Sequence, residues 1–259
     1  MNIFSNVLPI IGISPRNPYY GKQENIRFAL SEVLGEYGRA YVMVPDIPDI
    51  NNYLAYGYEE QEARKEAHDE SEKLKKCVRE ICVREGWSRD DACKSSAQVR
   101  IIHWAEEIEE NSSYQKKRIE MKVLYEMDAC FREAVRSATA ATIEKRIKRS
   151  AGAKKHDTKK YIEDIGMDRA VDQAHNYLLA EMAFLEVAPE IFDGERTEYI
   201  YHREFGVYEN YINGRYSKRP ANLSLRILNR ERSVPVCVER RDMKDGWVPQ
   251  QHNVISLKL

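Results

Sequence analysis

Residues Val7 to Pro18 read VLPIIGISPRNP, an unbroken apolar run that stops at Ser14 and is followed at once by Pro, Arg, Asn and Pro. A short continuous run of this kind, without apolar–polar alternation, is expected of a strand buried on both faces. The Pro-Arg-Asn-Pro that follows reads as a tight turn. The Ser14 hydroxyl is therefore expected at the carboxyl end of a buried strand, either capping the turn or doing chemistry.

Outward from this strand, short apolar runs alternate with longer amphipathic stretches. Asn25 to Tyr37 has apolar residues at helical spacing, with Gly38 as its C-cap. Ala40 to Pro45 (AYVMVP) reads as a second buried strand, and Glu59 to Glu85 as a long charged helix. Val99 to Trp104 is expected to be a third strand, Thr197 to His202 a fourth and Leu223 to Leu228 a fifth. Tyr114 to Arg149 and Met167 to Glu186 are expected to be single long helices. Strands joined by crossovers this long imply an α/β fold, a Rossmann-like and mostly parallel sheet with helices on both faces. In such sheets the ligand sits at the carboxyl ends of the strands, where strand order reverses. Both Ser14 and Tyr201 would face that place. The chain reads as one domain with its core at about 7–228 and a polar segment at 230–259.

The bulk composition narrows the class. The 259 residues carry 41 Lys and Arg against 42 Asp and Glu, so the net charge of -1 hides a segregation of sign. Ile143 to Lys160 is strongly basic and Glu59 to Glu72 acidic, a pattern compatible with a basic face for a polyanion or with ordinary solvated helices. The five cysteines include no Cys-x-x-Cys pair, so reduced thiols in a cytoplasmic protein are expected, with no metal site. No segment approaches the roughly 18 consecutive apolar residues of a membrane span. Glycine-rich dinucleotide and P-loop motifs are missing, and Gly12-Ile13-Ser14 lacks the second glycine of a hydrolase elbow.

Two further groupings carry chemistry. Tyr177 and Glu181 stand at i and i+4, on one face of a helix that is otherwise apolar around the acid. A carboxylate there needs a partner, which could be an arginine or the ammonium group of a ligand. Tyr199 and Tyr201 alternate with Ile200 and His202, so both tyrosines share one face of their strand.

Taken together these motifs resemble the cyclodipeptide synthases, whose fold is similar to the catalytic domain of class I aminoacyl-tRNA synthetases. Ile11-Gly12-Ile13-Ser14 matches the family's aliphatic-Gly-aliphatic-Ser motif. Tyr177 and Glu181 match its Tyr-x-x-x-Glu helix, Tyr201 its strand tyrosine, and Asn17 an asparagine three residues after the serine. Leu8 and Ala183 depart from it, standing where a histidine and a proline are common. The His-x-Gly-His and Lys-Met-Ser-Lys-Ser signatures of ATP-using synthetases are missing, so amino acids would have to arrive already activated.

The resemblance implies two aminoacyl-tRNAs per product, with no cofactor, metal or membrane, and a monomeric enzyme. It implies an aminoacyl-Ser14 intermediate, with Tyr177 and Glu181 holding the α-ammonium group. Glu181 would then deprotonate the amine that the second aminoacyl-tRNA supplies. Tyr201 would relay a proton in closure of the dipeptidyl-enzyme, and Asn17 would stabilise the oxyanion. Ile10, Gly12, Val42, Phe184 and Tyr199 are expected to line the first amino acid's pocket. Lys75, Lys76 and Arg79 are expected to form a stripe on the RNA backbone, extended by Lys116 to Arg118 or by the run from Lys145 to Lys160. Two alternatives remain open at this level: an RNA-binding protein without activity, and a serine acyltransferase or esterase that works without RNA.

Overall fold

The computed structural model describes residues 6–87, 98–150 and 157–228. Five strands form one sheet: β1 (Val7–Gly12), β2 (Ala40–Met43), β3 (Val99–Ile102), β4 (Arg196–Tyr201) and β5 (Leu223–Ile227). Their order is β3-β2-β1-β4-β5, and every neighbouring pair is parallel. The sheet is thus the parallel α/β arrangement that the alternating runs predict. Every residue of β1 is buried, which suits its place in the middle of the sheet.

Pro9 lies inside this central strand, a position that proline normally avoids because it cannot donate to the ladder. The Ile13 N–H points toward β2, donating to the Met43 carbonyl at 2.9 Å. By the alternation of a strand, residue 9 faces the same side. Pairing with β2 begins only at Ile10, so the missing donor falls where no acceptor strand is present.

The chain moves from β1 out to β3 on one side. It then passes through a block of helices and returns to β4 on the other side of β1. Strand order reverses between β1 and β4, which makes their carboxyl ends the place for a ligand.

The nine helices among the described residues are α1 (Gln23–Tyr37), α2 (Asp46–Ala55), α3 (Glu60–Arg84), α4 (Ser112–Met127), α5 (Ala129–Ser150), α6 (Thr158–Ile165), α7 (Met167–Ala174), α8 (Asn176–Ile191) and α9 (Gly206–Ile212). A π-helical turn, Trp104–Ile108, follows β3, so Trp104 leaves the strand that was expected to include it. Gly38 ends α1 in the left-handed conformation, at φ 70, as its C-cap reading predicts.

Three expectations need correction. The helix expected over Tyr114 to Arg149 is two helices, broken at Asp128, whose backbone is extended and whose carboxylate accepts the Phe131 N–H at 2.9 Å. Asp128 thus serves as an N-cap for α5. The helix expected from Met167 to Glu186 is also two, α7 and α8, separated at His175, and the second runs on to Ile191. The second strand stops at Met43, and Val44 and Pro45 lead into α2, which the periodicity did not announce. Pro48 is tolerated there because it occupies the first turn, where its N–H would have no intrahelical acceptor.

Among the described residues no helix is long and apolar enough to cross a membrane. Cys77, Cys82 and Cys130 carry free thiols. The other two cysteines, the expected polar segment at 230–259 and the middle of the basic run lie outside the described residues.

Candidate active site

The turn after β1 is built to hold Ser14 in place. Beyond the last sheet bond at Ile13 the chain reverses, and the Asn17 N–H donates to the Ser14 carbonyl at 3.3 Å. The Asn17 side chain accepts the Tyr19 N–H at 3.1 Å, closing a second small turn. Between them Arg16 adopts φ 59, in the left-handed region that non-glycine residues seldom occupy. Its guanidinium Nη2 lies 2.7 and 2.9 Å from the two carboxylate oxygens of Asp49 on α2. The same group sits 4.1 Å from the Tyr53 ring centroid and 5.3 Å from that of Tyr56. These contacts offset the backbone strain and fasten the turn to α2.

Hydroxyls from two other elements gather around Ser14. Its Oγ lies 3.4 Å from the Tyr201 hydroxyl at the end of β4, and Tyr177, at the start of α8, lines the same cavity. Asn17 Nδ2 donates to the Tyr201 hydroxyl at 3.5 Å. These are long bonds, as is common in sites that tighten only around a substrate. Among the described residues no histidine or carboxylate hydrogen-bonds the Ser14 hydroxyl. His202 stacks on Tyr19, with ring centroids 4.5 Å apart and planes 15° from parallel. Burial pushes its pKa down to about 4, with the charge on Arg203 adding to the shift.

The helix carboxylate finds tyrosines for partners. Glu181 is 3% exposed and accepts from the Tyr199 hydroxyl at 3.2 Å and from the Tyr208 hydroxyl at 2.5 Å. Burial pushes its pKa up to about 7, and the two tyrosine hydrogen bonds pull it partly back. Among the described residues no basic side chain pairs with it. A carboxylate has room for about four acceptor contacts, so two tyrosines leave capacity for an ammonium group.

These groups face one cavity of about 160 Å³ at the carboxyl ends of β1 and β4. Ser14, Asn17, Tyr177, Glu181, Tyr199 and Tyr201 all line it. Lys145, Arg146 and Arg203 line it as well, and Lys145 and Arg203 are exposed, so cations stand at its mouth.

Several expected site residues lie elsewhere. Ile10, Val42 and Phe184 are fully buried in the core and do not line the cavity. Gly12 lies beneath the site, where a Cβ would stand 2.2 Å from the Tyr199 hydroxyl. Its lack of a side chain makes room for that ring and not, directly, for a ligand.

Lys75 is corrected too. It is 2% exposed and pairs with Asp46 on α2 at 2.8 Å, so it faces the interior and cannot reach an RNA backbone. Lys76 is exposed, but Arg79 lies 3.6 Å from Glu72 and Lys76 lies 4.0 Å from Glu80. The expected cationic stripe is therefore broken by a buried member and interleaved acids. Lys117 and Arg118 pair with Glu120 and Glu109 respectively.

The sequence reading missed Tyr208, Arg16 and Asp49. Tyr208 sits on α9, a seven-residue helix too short to show periodicity. An Arg between two prolines two residues after a candidate nucleophile gave a signal only in hindsight.

The geometry thus places a serine hydroxyl and a buried carboxyl together at the switch point of a parallel sheet, the ligand position of an α/β fold. The family model described as cyclodipeptide synthase matches residues 8–227. The chain belongs to that family, whose members are transferases that make cyclodipeptides. Solved structures agree on the fold. A cyclodipeptide synthase from Bacillus thermoamylovorans superposes with a TM-score of 0.65 at 17% identity, covering 86% of this chain and 88% of that one. AlbC, a cyclodipeptide synthase from Streptomyces noursei, gives 0.60 at 20% identity over 85% and 94%. A Mycobacterium tuberculosis protein, whose structure is described as demonstrating that cyclodipeptide synthetases are related to type I tRNA synthetases, gives 0.61 at 16% identity over 86% and 85%. No curated protein sequence matches the chain.

Proposed function

We propose that this chain takes two aminoacyl groups in turn from aminoacyl-tRNAs, carries them on Ser14 and releases them as a cyclodipeptide. The observation that carries this reading is the meeting of Ser14, Tyr177, Glu181 and Tyr201 in one cavity with cations at its mouth. Those cations suit the phosphates of an RNA 3′ end, a contact independent of sequence. They replace the Lys75 stripe in that role.

In the first step Ser14 Oγ attacks the ester carbonyl of one aminoacyl-tRNA. The ester bond to the ribose breaks, and the proton of Ser14 passes to the departing ribose oxygen. Tyr201, 3.4 Å from Oγ, is placed to relay it. The Asn17 amide and backbone N–H groups of the turn serve the transient oxyanion. The new aminoacyl group keeps its ammonium at Glu181 and Tyr177.

The second step refines the expectation drawn from sequence. If the incoming aminoacyl-tRNA supplied the attacking amine, the dipeptide would end on that tRNA and leave Ser14 empty. A dipeptidyl-Ser14 requires the amine already held at Glu181 to attack the second ester, releasing the second tRNA. Glu181 takes the proton of that amine, as a base with a pKa near 7 can do. In the third step the free amine of the dipeptide attacks its ester to Ser14. The ring closes, and the oxygen of Ser14 recovers a proton through Tyr201.

The test is mass spectrometry of medium from bacteria expressing this chain, beside a Ser14→Ala control. Cyclodipeptide ions that vanish with Ser14→Ala are the expected result. No Ser14-dependent cyclodipeptide from soluble, well-expressed protein overturns the reading.

A further inference from the structure

Glycine at position 12 leaves a notch in the face of β1 between Ile10 and Ser14, because alternate strand residues share a face. In this chain the notch is filled. The Tyr199 ring, from the neighbouring strand, lies in it so closely that its hydroxyl, Cε2 and Cζ would all be within 2.7 Å of a Cβ on residue 12. The ring is held from three sides. Its hydroxyl donates to Glu181 at 3.2 Å, and its centroid lies 5.8 Å from that of Tyr201 and 5.2 Å from that of Tyr208. Behind it Ile10, Val42 and Phe184 are fully buried and out of reach of the cavity. What stays open is the rest of the cavity, an outer chamber lined by Asn52, Thr142 and Lys145 and also by Pro18, Tyr56 and Phe205.

An aminoacyl group on Ser14 with its ammonium at Glu181 has two of its Cα substituents fixed. Its side chain must then point either along the strand into the notch or into the outer chamber. Tyr199 closes the first direction. The second must also receive the other aminoacyl group. Resting on the function proposed above, we infer that Tyr199 sets the size of the first residue joined, and that Ser14 accepts glycyl, alanyl or seryl groups. Bulk is admitted only in the second residue.

Product masses from the wild-type chain and two variants test this. Wild type should give cyclodipeptides in which at least one residue is Gly, Ala or Ser. Tyr199→Leu should raise the share of products containing two larger residues about tenfold or more, within the range that one change of side-chain size in an apolar pocket provides. Tyr199→Phe keeps the ring and loses only its bond to Glu181, so its products should keep the small residue. Should Tyr199→Leu fail to fold, the wild-type and Tyr199→Phe products still decide. A wild-type product built mainly from two bulky residues overturns the inference and leaves the synthase reading standing. So does an unchanged product ratio from soluble Tyr199→Leu. Absence of any Ser14-dependent product overturns the synthase reading itself, and this inference with it.

Discussion

To hold an ammonium group as proposed, Glu181 must be charged, yet it sits where charge is costly. Burial favours its neutral form and raises its pKa to about 7, and Tyr199 and Tyr208 only moderate that. The consequence for rate has a definite sign. Below about pH 7 the carboxyl is protonated and can neither bind an ammonium nor take a proton. Product formation by the purified chain should therefore fall on the acid side with an apparent pKa near 7, and Glu181→Gln should remove the activity at every pH. The consequence for stability is opposite. A carboxyl whose folded pKa exceeds its unfolded value binds more protons when folded, so stability declines as pH rises from about 4.5 to 7. Glu181→Gln should then be more stable than wild type at pH 8, by on the order of 3 kcal/mol for a shift of this size, measured by urea unfolding. A variant less stable at pH 8 than wild type would show that the ionised carboxyl is well solvated. At this scale strand ends placed Ser14 and Tyr201, and i, i+4 spacing put Tyr177 and Glu181 on one helix face, while the joining of all four in one site came from the resemblance. Their partners were not legible. That Tyr208 meets Glu181 depends on a contact across 27 positions of chain, which no local pattern encodes.

Among the elements, α2 supports the site from behind and left little trace in the sequence. It holds the Ser14 turn through Asp49 and Arg16, and it holds α3 through Asp46 and Lys75. The second pair is nearly dry, with side chains 10% and 3% exposed. Lys75 keeps a second partner, Glu72 at 3.1 Å, but removing Lys75 leaves the Asp46 carboxylate buried without its cation, a loss of about 3–5 kcal/mol. Lys75→Ala should lower stability in urea unfolding by about that amount, whereas Lys76→Ala, on the exposed face of the same helix, should change it by less than about 0.5 kcal/mol. Equal small effects would mean that Lys75 reaches water. The lysine spacing on α3 was readable, but its orientation was not, since helical periodicity cannot say that one cation faces a carboxylate on another helix. Similarly, the α4–α5 break at Asp128 and the break at His175 fall where no proline or glycine marks them. Long, strongly periodic segments hid two junctions.

For the whole molecule, the topology does what the runs of apolar residues implied. Parallel strands with long crossovers place the reversal of strand order between β1 and β4, and the chain puts a serine at one end and a tyrosine at the other. The strands were legible because a two-sided burial demands continuous apolar runs. The cavity's shape was not, since Tyr199 entering a glycine notch is a matter of packing between strands.

The claim on which everything else rests is that Ser14 carries an aminoacyl group taken from tRNA. The most direct measurement incubates purified chain with tRNA charged with a radiolabelled amino acid that appears in its product. Ribonuclease digestion and acid precipitation follow, and then mapping of any label on the protein. The expected result is label on the peptide containing Ser14, lost in Ser14→Ala and chased into cyclodipeptide by a second aminoacyl-tRNA. Cyclodipeptide formed from the same mixture without protein-bound label on that peptide, or formed equally well by Ser14→Ala, would contradict it.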